Sequence, residues 1–161
     1  MISYMLTDSY KEILFSRLKS LSKPEKIEVI SFLKEQLKEN SLPIFIFKNN
    51  SLSALETIVK YLKEEHNLSY VEISKLLNRS NKTIWITYQR AKKKMPKKLK
   101  GRSDIFIPVD IFQNRKFSVL ESLVTYLKQE QNISYKEIAK LINRNYRTVL
   151  TVYRRFRKKN E

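Results

Sequence analysis

The sequence predicts an all-α chain: a helical N-terminal segment, then two copies of one three-helix unit. Two observations carry this. Residues 53–95 align on 118–160 without a gap, and 22 of those 43 positions are identical. Each copy also holds, twice, a serine followed three residues later by glutamate at the head of an apolar run. In that arrangement the two side chains satisfy free N–H groups at a helix start. The scarcity of breakers agrees, with one glycine and four prolines in 161 residues, although a biased nucleotide composition produces the same Lys-, Ile- and Asn-rich make-up.

Residues 1–41 carry two helical patterns, over 4–21 and 24–39. Ser22 is placed to cap the second, with Pro24 in its first turn and Glu25 three residues on. Ile27, Val29, Ile30, Phe32, Leu33 and Leu37 give that helix a broad apolar face. Through residue 50 the chain has eight basic and six acidic residues, so most of the positive excess lies further on. The first repeat unit follows at 42–95, a basic linker at 96–103 and the second unit at 104–161. Each opens on an apolar lead-in, PIFIF or PVDIF, too short for periodicity to decide between a strand and a hook packed on the helices.

Within the units, Ser53 with Glu56, and Ser118 with Glu121, start a first helix. Its stripe in the first copy is Leu55, Ile58, Val59 and Leu62. Ser69 with Glu72, and Ser134 with Glu137, start a short second helix carrying Ile73, Leu76 and Leu77 in the first copy. Asn78 and Asn143 then stand where a tight reversal needs a left-handed residue, a conformation Asn tolerates better than most. Ser80 and Asn145 are placed to cap a third helix, from residue 81 to about 94 in the first copy. Pro96 ends that helix and Gly101 breaks the linker.

The formal net charge is +17, from 33 basic against 16 acidic side chains. Such an excess favours an anionic partner, nucleic acid first and an acidic membrane surface second. Residues 79–102 hold ten basic residues and no acidic one, and 144–159 hold seven and none. There is no cysteine and one histidine, His66, so disulfides, thiolate metal sites and a histidine cluster are excluded. The first residues lack the basic flank and apolar core of a signal peptide. No apolar run approaches the roughly 18 residues of a spanning helix. No glycine-rich phosphate loop, zinc set or nucleophile–base arrangement stands out, so neither enzyme activity nor a cofactor or metal is expected.

Two stretches now matter: LSYVEISKLLNRSNKTIWITYQRA and ISYKEIAKLINRNYRTVLTVYRRF. Each reads as a short helix, a tight turn and a longer basic helix. Each resembles the helix-turn-helix of sigma-factor region 4 and related bacterial and archaeal regulators. Asn78 and Asn143 replace the glycine usual in that turn, and no section resembles the promoter-melting region of a sigma factor. The resemblance implies two tandem helix-turn-helix domains on double-stranded DNA. The third helix of each would enter the major groove, and the residues before it would touch the backbone.

A helical wheel sorts that third helix. Ile84, Tyr88 and Ala91 face the first two helices, as do Val149, Tyr153 and Phe156 in the second copy. Asn81, Lys82, Trp85, Ile86 and Gln89 remain as base-contact candidates, with Tyr146, Arg147, Leu150, Thr151 and Arg154 in the second unit. Gln89 suits adenine and Arg154 guanine, while Trp85, Ile86 or Leu150 suits a thymine methyl. The phosphate-contact candidates are Arg79, Arg90, Lys92, Lys93, Lys94, Lys97 and Lys98, then Arg144, Arg155, Arg157, Lys158 and Lys159. Such groups supply salt-dependent affinity rather than choice of sequence. A plainer meaning stands beside each. A basic run is also the ordinary make-up of a solvated helix end, and Trp85 fits a core or inter-unit contact as well as a base reader. Tyr70 and Tyr135 fit packing and phosphate contact equally.

Scaffold positions mostly match between the copies, whereas Asn81, Trp85, Ile86 and Gln89 become Tyr146, Leu150, Thr151 and Arg154. A shared fold with altered outer faces points to two different half-sites and to transcription regulation. The alternative is an architectural nucleoid protein with low sequence preference. Either role implies a cytoplasmic, nucleoid-associated protein with no membrane partner. Three uses are open to the N-terminal helices, pairing two chains, covering the first repeat unit or engaging another protein, and of these a homodimer is the one expected.

Overall fold

The computed structural model describes residues 8–39 and 41–161. The chain forms two compact units, a first that ends at Glu39 and a second made of the remainder. The described residues contain eight α-helices and two strands of three residues each, so the fold is an all-α, multi-helix one.

The first unit holds α1 (Asp8–Ser20) and α2 (Lys23–Glu39). The Ser22 backbone N–H donates to Glu25 Oε2 at 2.7 Å, so the serine starts α2 as expected, with Pro24 in the first turn. Of the helix expected over 4–21, residues 4–7 lie outside the described residues, as does the Leu37 side chain. Tyr10, Ile13, Leu14 and Phe15 on α1 are exposed, and so are Ile27, Ile30, Phe32 and Leu33 on α2.

The second unit runs β1 (Ser41–Pro43), a 3-10 turn (Ile44–Lys48), α3 (Ala54–Glu64), α4 (Tyr70–Leu76) and α5 (Asn81–Lys94). The series then repeats as β2 (Phe106–Pro108), a 3-10 turn (Val109–Phe112), α6 (Val119–Gln129), α7 (Tyr135–Leu141) and α8 (Tyr146–Asn160). All four serine–glutamate capping boxes close at the starts of α3, α4, α6 and α7. Four asparagines have positive φ: Asn67 and Asn78 at 55° and 49°, Asn132 and Asn143 at 53° and 48°. Each ends a helix by reversing the chain, which left-handed Asn does at little steric cost.

The lead-ins are both strand and hook: a three-residue strand followed by a 3-10 turn. The two strands pair with each other, antiparallel, with Ser41 opposite Pro108, Leu42 opposite Ile107 and Pro43 opposite Phe106. Leu42 and Ile107 are fully buried, and the Phe47 and Phe112 rings meet with centroids 6.2 Å apart. One continuous apolar cluster results, taking Ile58, Leu62, Ile73 and Ile84 from the first copy and Leu123, Leu127, Ile138 and Val149 from the second. Repeat units that the sequence presents in series therefore share a core. The segment joining them is held down as well. Leu99 packs on the cluster, and a Cβ at Gly101 would lie 2.5 Å from the Phe45 ring, so any larger residue there would have to displace that ring.

One polar pair is buried where the copies differ. The Lys60 side chain is fully buried, and its Nζ donates to Glu64 Oε1 at 2.6 Å. Tyr88 Oη donates to the same oxygen at 3.3 Å. The second copy has Thr125, Gln129 and Tyr153 at these positions, and Gln129 Nε2 donates to Tyr153 Oη at 3.3 Å. The first copy thus holds an ion pair where the second holds neutral groups, with the shorter Thr125 hydroxyl buried and unpartnered. Glu64→Gln would leave the Lys60 ammonium buried without its carboxylate, at a cost of about 3 kcal/mol. Lys60→Thr combined with Glu64→Gln copies the second repeat and should recover most of that loss in urea denaturation of the full chain. Additive losses in the double variant would contradict the pairing.

Candidate nucleic-acid interface

The exposed basic helices α5 and α8 are the candidate site, and local sequence explains where each begins. Ser80 Oγ accepts the Thr83 N–H at 3.2 Å, and Asn145 Oδ1 accepts the Arg147 N–H at 2.8 Å. Ile84, Thr87 and Ala91 are buried on the inner face of α5, and Val149 and Val152 on that of α8. Tyr88 packs on Tyr70 and Tyr153 on Tyr135, with centroids 5.9 and 5.4 Å apart. Lys63 and Lys128 cover the Tyr70 and Tyr135 rings at 5.0 and 5.2 Å, so both tyrosines serve packing. Phe156, at the position of Ala91 in the first copy, meets the tilted Phe117 ring with centroids 4.3 Å apart.

The outward faces carry the expected candidates. Asn81, Lys82, Trp85 and Gln89 are exposed on α5 with Ile86 half-buried beside them. On α8, Tyr146, Arg147, Thr151 and Arg154 are exposed and Leu150 is half-buried. Trp85 is 51% exposed, which excludes the core as its place. Thr151 Oγ1 donates to the Arg147 carbonyl at 2.8 Å, so its hydroxyl hydrogen is used within the helix.

The basic candidates divide. Arg90, Lys92, Lys93 and Lys97 are exposed, as are Arg155, Arg157 and Lys158. Lys94 and Lys159 instead reach back to carboxylates at the start of the first helix of their own copy. Lys94 Nζ is 2.8 Å from Glu56 and Lys159 Nζ 2.7 Å from Glu121. Burial by itself would raise the pKa of both carboxyls. The lysine partners and the serine N–H groups outweigh it and hold them below the ordinary value. These two lysines act first as ties between helices. Lys98 Nζ similarly donates to the Glu64 carbonyl at 3.1 Å and lies 3.5 Å from Glu65.

Two residues outside the expected set complete the charge pattern. Arg115 and Lys116 line a cleft of about 630 Å³ together with Arg79, Arg144 and Lys159. Its walls are the starts of α3 and α6, Ser53–Leu55 and Ser118–Leu120, and no acidic residue lines it. Arg79 and Arg144 immediately precede the caps of α5 and α8, so the cleft lies between the starts of the two basic helices. Arg144 donates to the Asn50 side chain. The position equivalent to Asn50 in the second copy is Arg115, and there Arg79 meets a like charge where its twin finds an acceptor. Arg79 Nε is buried without a hydrogen-bond partner. Burial first, and the Arg115 charge second, push its guanidinium pKa down. Sequence alone hid this cleft because Arg79 and Arg115 are brought together only by the packing of one copy on the other. The basic pair ahead of Ser118, absent ahead of Ser53, was the one available signal.

Among the described residues no group of His, Asp or Glu stands together as a metal site, and no helix is long and apolar enough to cross a membrane. No protein-family model, curated protein or solved structure matches this chain.

Restoring the acceptor tests the account of Arg79. Arg115→Asn should stabilise the fold by about 1 kcal/mol in chemical denaturation, the worth of one hydrogen bond to a charged group at a partly exposed site. Equal or lower stability would show that Arg79 gains nothing from the exchange.

Proposed function

We propose that this protein binds double-stranded DNA through two helix-turn-helix units that read unlike half-sites, and that it acts in transcription regulation at the nucleoid. The observation that carries this reading is the division of α5 and α8 into two faces. Inward positions keep a packing role in both copies, whereas the exposed Asn81, Trp85 and Gln89 differ from Tyr146, Leu150 and Arg154. On this reading α4–α5 and α7–α8 are the helix-turn-helix pairs. Gln89 and Arg154 are the principal base readers, since amide and guanidinium groups form paired hydrogen bonds to adenine and guanine edges. Arg90, Lys92, Lys93, Arg155, Arg157 and Lys158 take phosphates, and Arg79, Arg115 and Arg144 add charge between the two reading helices.

Selection of bound duplexes from a random library, at about 0.15 M salt, tests this. The expected result is a composite site with two unequal halves. Gln89→Arg should shift the preference of one half toward guanine, and Arg154→Gln that of the other toward adenine. Recovery without enrichment would favour the architectural role, and failure to recover any duplex would end the DNA reading.

The first unit supports an extension of the proposal, in which a second copy of this chain covers α1 and α2. Eight large apolar side chains, from Tyr10 to Leu33, are about half exposed or more within two short helices, an amount that a folded monomer rarely leaves to water. Sedimentation of the full chain should give a dimer, and Phe15→Ser with Phe32→Ser a monomer. A monomeric wild type would remove this extension without touching the DNA-binding reading. A dimer would carry four reading helices, and this observation also favours the architectural role as the second reading.

A further inference from the structure

Tandem units along a chain suggest half-sites that point the same way. The contacts between the copies point elsewhere. Equivalent positions lie 65 residues apart. Leu42 is opposite Ile107, its own equivalent, while Ser41 faces the equivalent of Pro43 and Pro43 faces the equivalent of Ser41. Phe47 meets its equivalent Phe112, and α3 touches its equivalent α6. Arg144 bonds Asn50, and Arg79 stands beside Arg115, which is the same pair with the copies exchanged. Residues that meet their own equivalents, and contacts that recur when partners are swapped, mark a two-fold interface. A head-to-tail arrangement would join two different surfaces. An approximate two-fold axis therefore relates the copies, passing by the Leu42–Ile107 pair and the Phe47–Phe112 contact.

We infer that the DNA site is an inverted pair of unequal half-sites on one duplex, taken by α5 and α8 of a single chain. This rests on the DNA-binding reading above. Duplex DNA has local two-fold axes across its length. A protein with a matching axis sets its two reading helices in equivalent poses only when the half-sites run in opposite directions. The strand ladder and the shared core hold that relation fixed. A direct repeat is then engaged by one unit at a time and loses the gain of simultaneous binding, about a hundredfold or more. The halves are unequal because the outer residues of α5 and α8 are unequal, so the site is an imperfect palindrome that one chain reads without a partner chain.

The test uses the full chain and the halves enriched by selection, rebuilt as inverted and as direct pairs over spacings of roughly zero to ten base pairs, one helical turn. The best inverted duplex should bind about a hundredfold tighter than the best direct one. Gln89→Ala should relax preference in one half only and Arg154→Ala in the other. A direct pair that binds as tightly as the inverted one would overturn the inference and leave the DNA reading standing. If Gln89→Ala relaxed both halves alike, two chains would be reading the site, and the single-chain arrangement would be wrong. Recovery of duplexes with no enriched sequence would remove the half-sites and this inference together and leave the architectural role.

Discussion

Leu42 and Ile107 face each other in a ladder of only three residue pairs, and residues 41–161 are organised around that contact. A unit of some sixty residues buries about 60% of its unfolded surface and is marginal by itself. Here each copy contributes a strand, a hook and three helices to one apolar cluster. The hook is tied to its own copy as firmly as to the other. Asn49 Nδ2 donates to the Ile46 carbonyl at 2.7 Å and to Thr57 on α3 at 3.0 Å, while its Oδ1 accepts the Leu52 N–H at 2.8 Å. A side chain that knits three segments of one copy thus fixes the strand that recruits the other.

Within each copy a single carboxylate does comparable work. Glu56 accepts the Ser53 N–H at the start of α3 and the Lys94 ammonium from the last turn of α5, and Glu121 repeats this with Ser118 and Lys159. The same group satisfies a helix start and anchors the far end of the long helix, so the orientation of α5 and α8 is coupled to that of α3 and α6. Both carboxylates are nearly buried, which makes the pairing with lysine a condition of their placement rather than a surface ornament. The basic run on each helix is accordingly a mixture. One lysine closes the fold, and the others stand in solvent.

Much of this was legible in sequence where the signal is local. Serine–glutamate spacing marks four helix starts in the second unit, and Asn78 and Asn143 mark the turns, because capping and left-handed backbone depend on residues three or four apart. The inward set Ile84, Tyr88, Ala91 follows from helical period. What stayed hidden depends on distance along the chain. Three strand residues carry no useful period, and their partner lies 65 positions away. Lys94 and Glu56 are 38 residues apart, and the only trace of their pairing is that both are retained in the second copy as Lys159 and Glu121. Arg115 and Arg79 belong to different copies, so no helical wheel brings them together. Trp85 was ambiguous because a large aromatic suits a core and a surface equally, and only its exposure separates the two.

The near-equivalence of the two strands has a consequence for synthesis. The strand at 41–43 leaves the ribosome well before its partner at 106–108, a lag of several seconds at roughly 5–20 residues per second. During that interval the edge around Leu42 is open, and its complement is the equivalent segment of the second copy, with Ile107 in place of leucine. On neighbouring nascent chains, two first strands can therefore meet in the register that the finished molecule reserves for its own second strand. Once the second strand emerges, tethering gives it an effective concentration in the millimolar range, far above that of another chain in dilute solution. Correct assembly is thus a competition settled by proximity, and its margin narrows as polysomes crowd identical chains together.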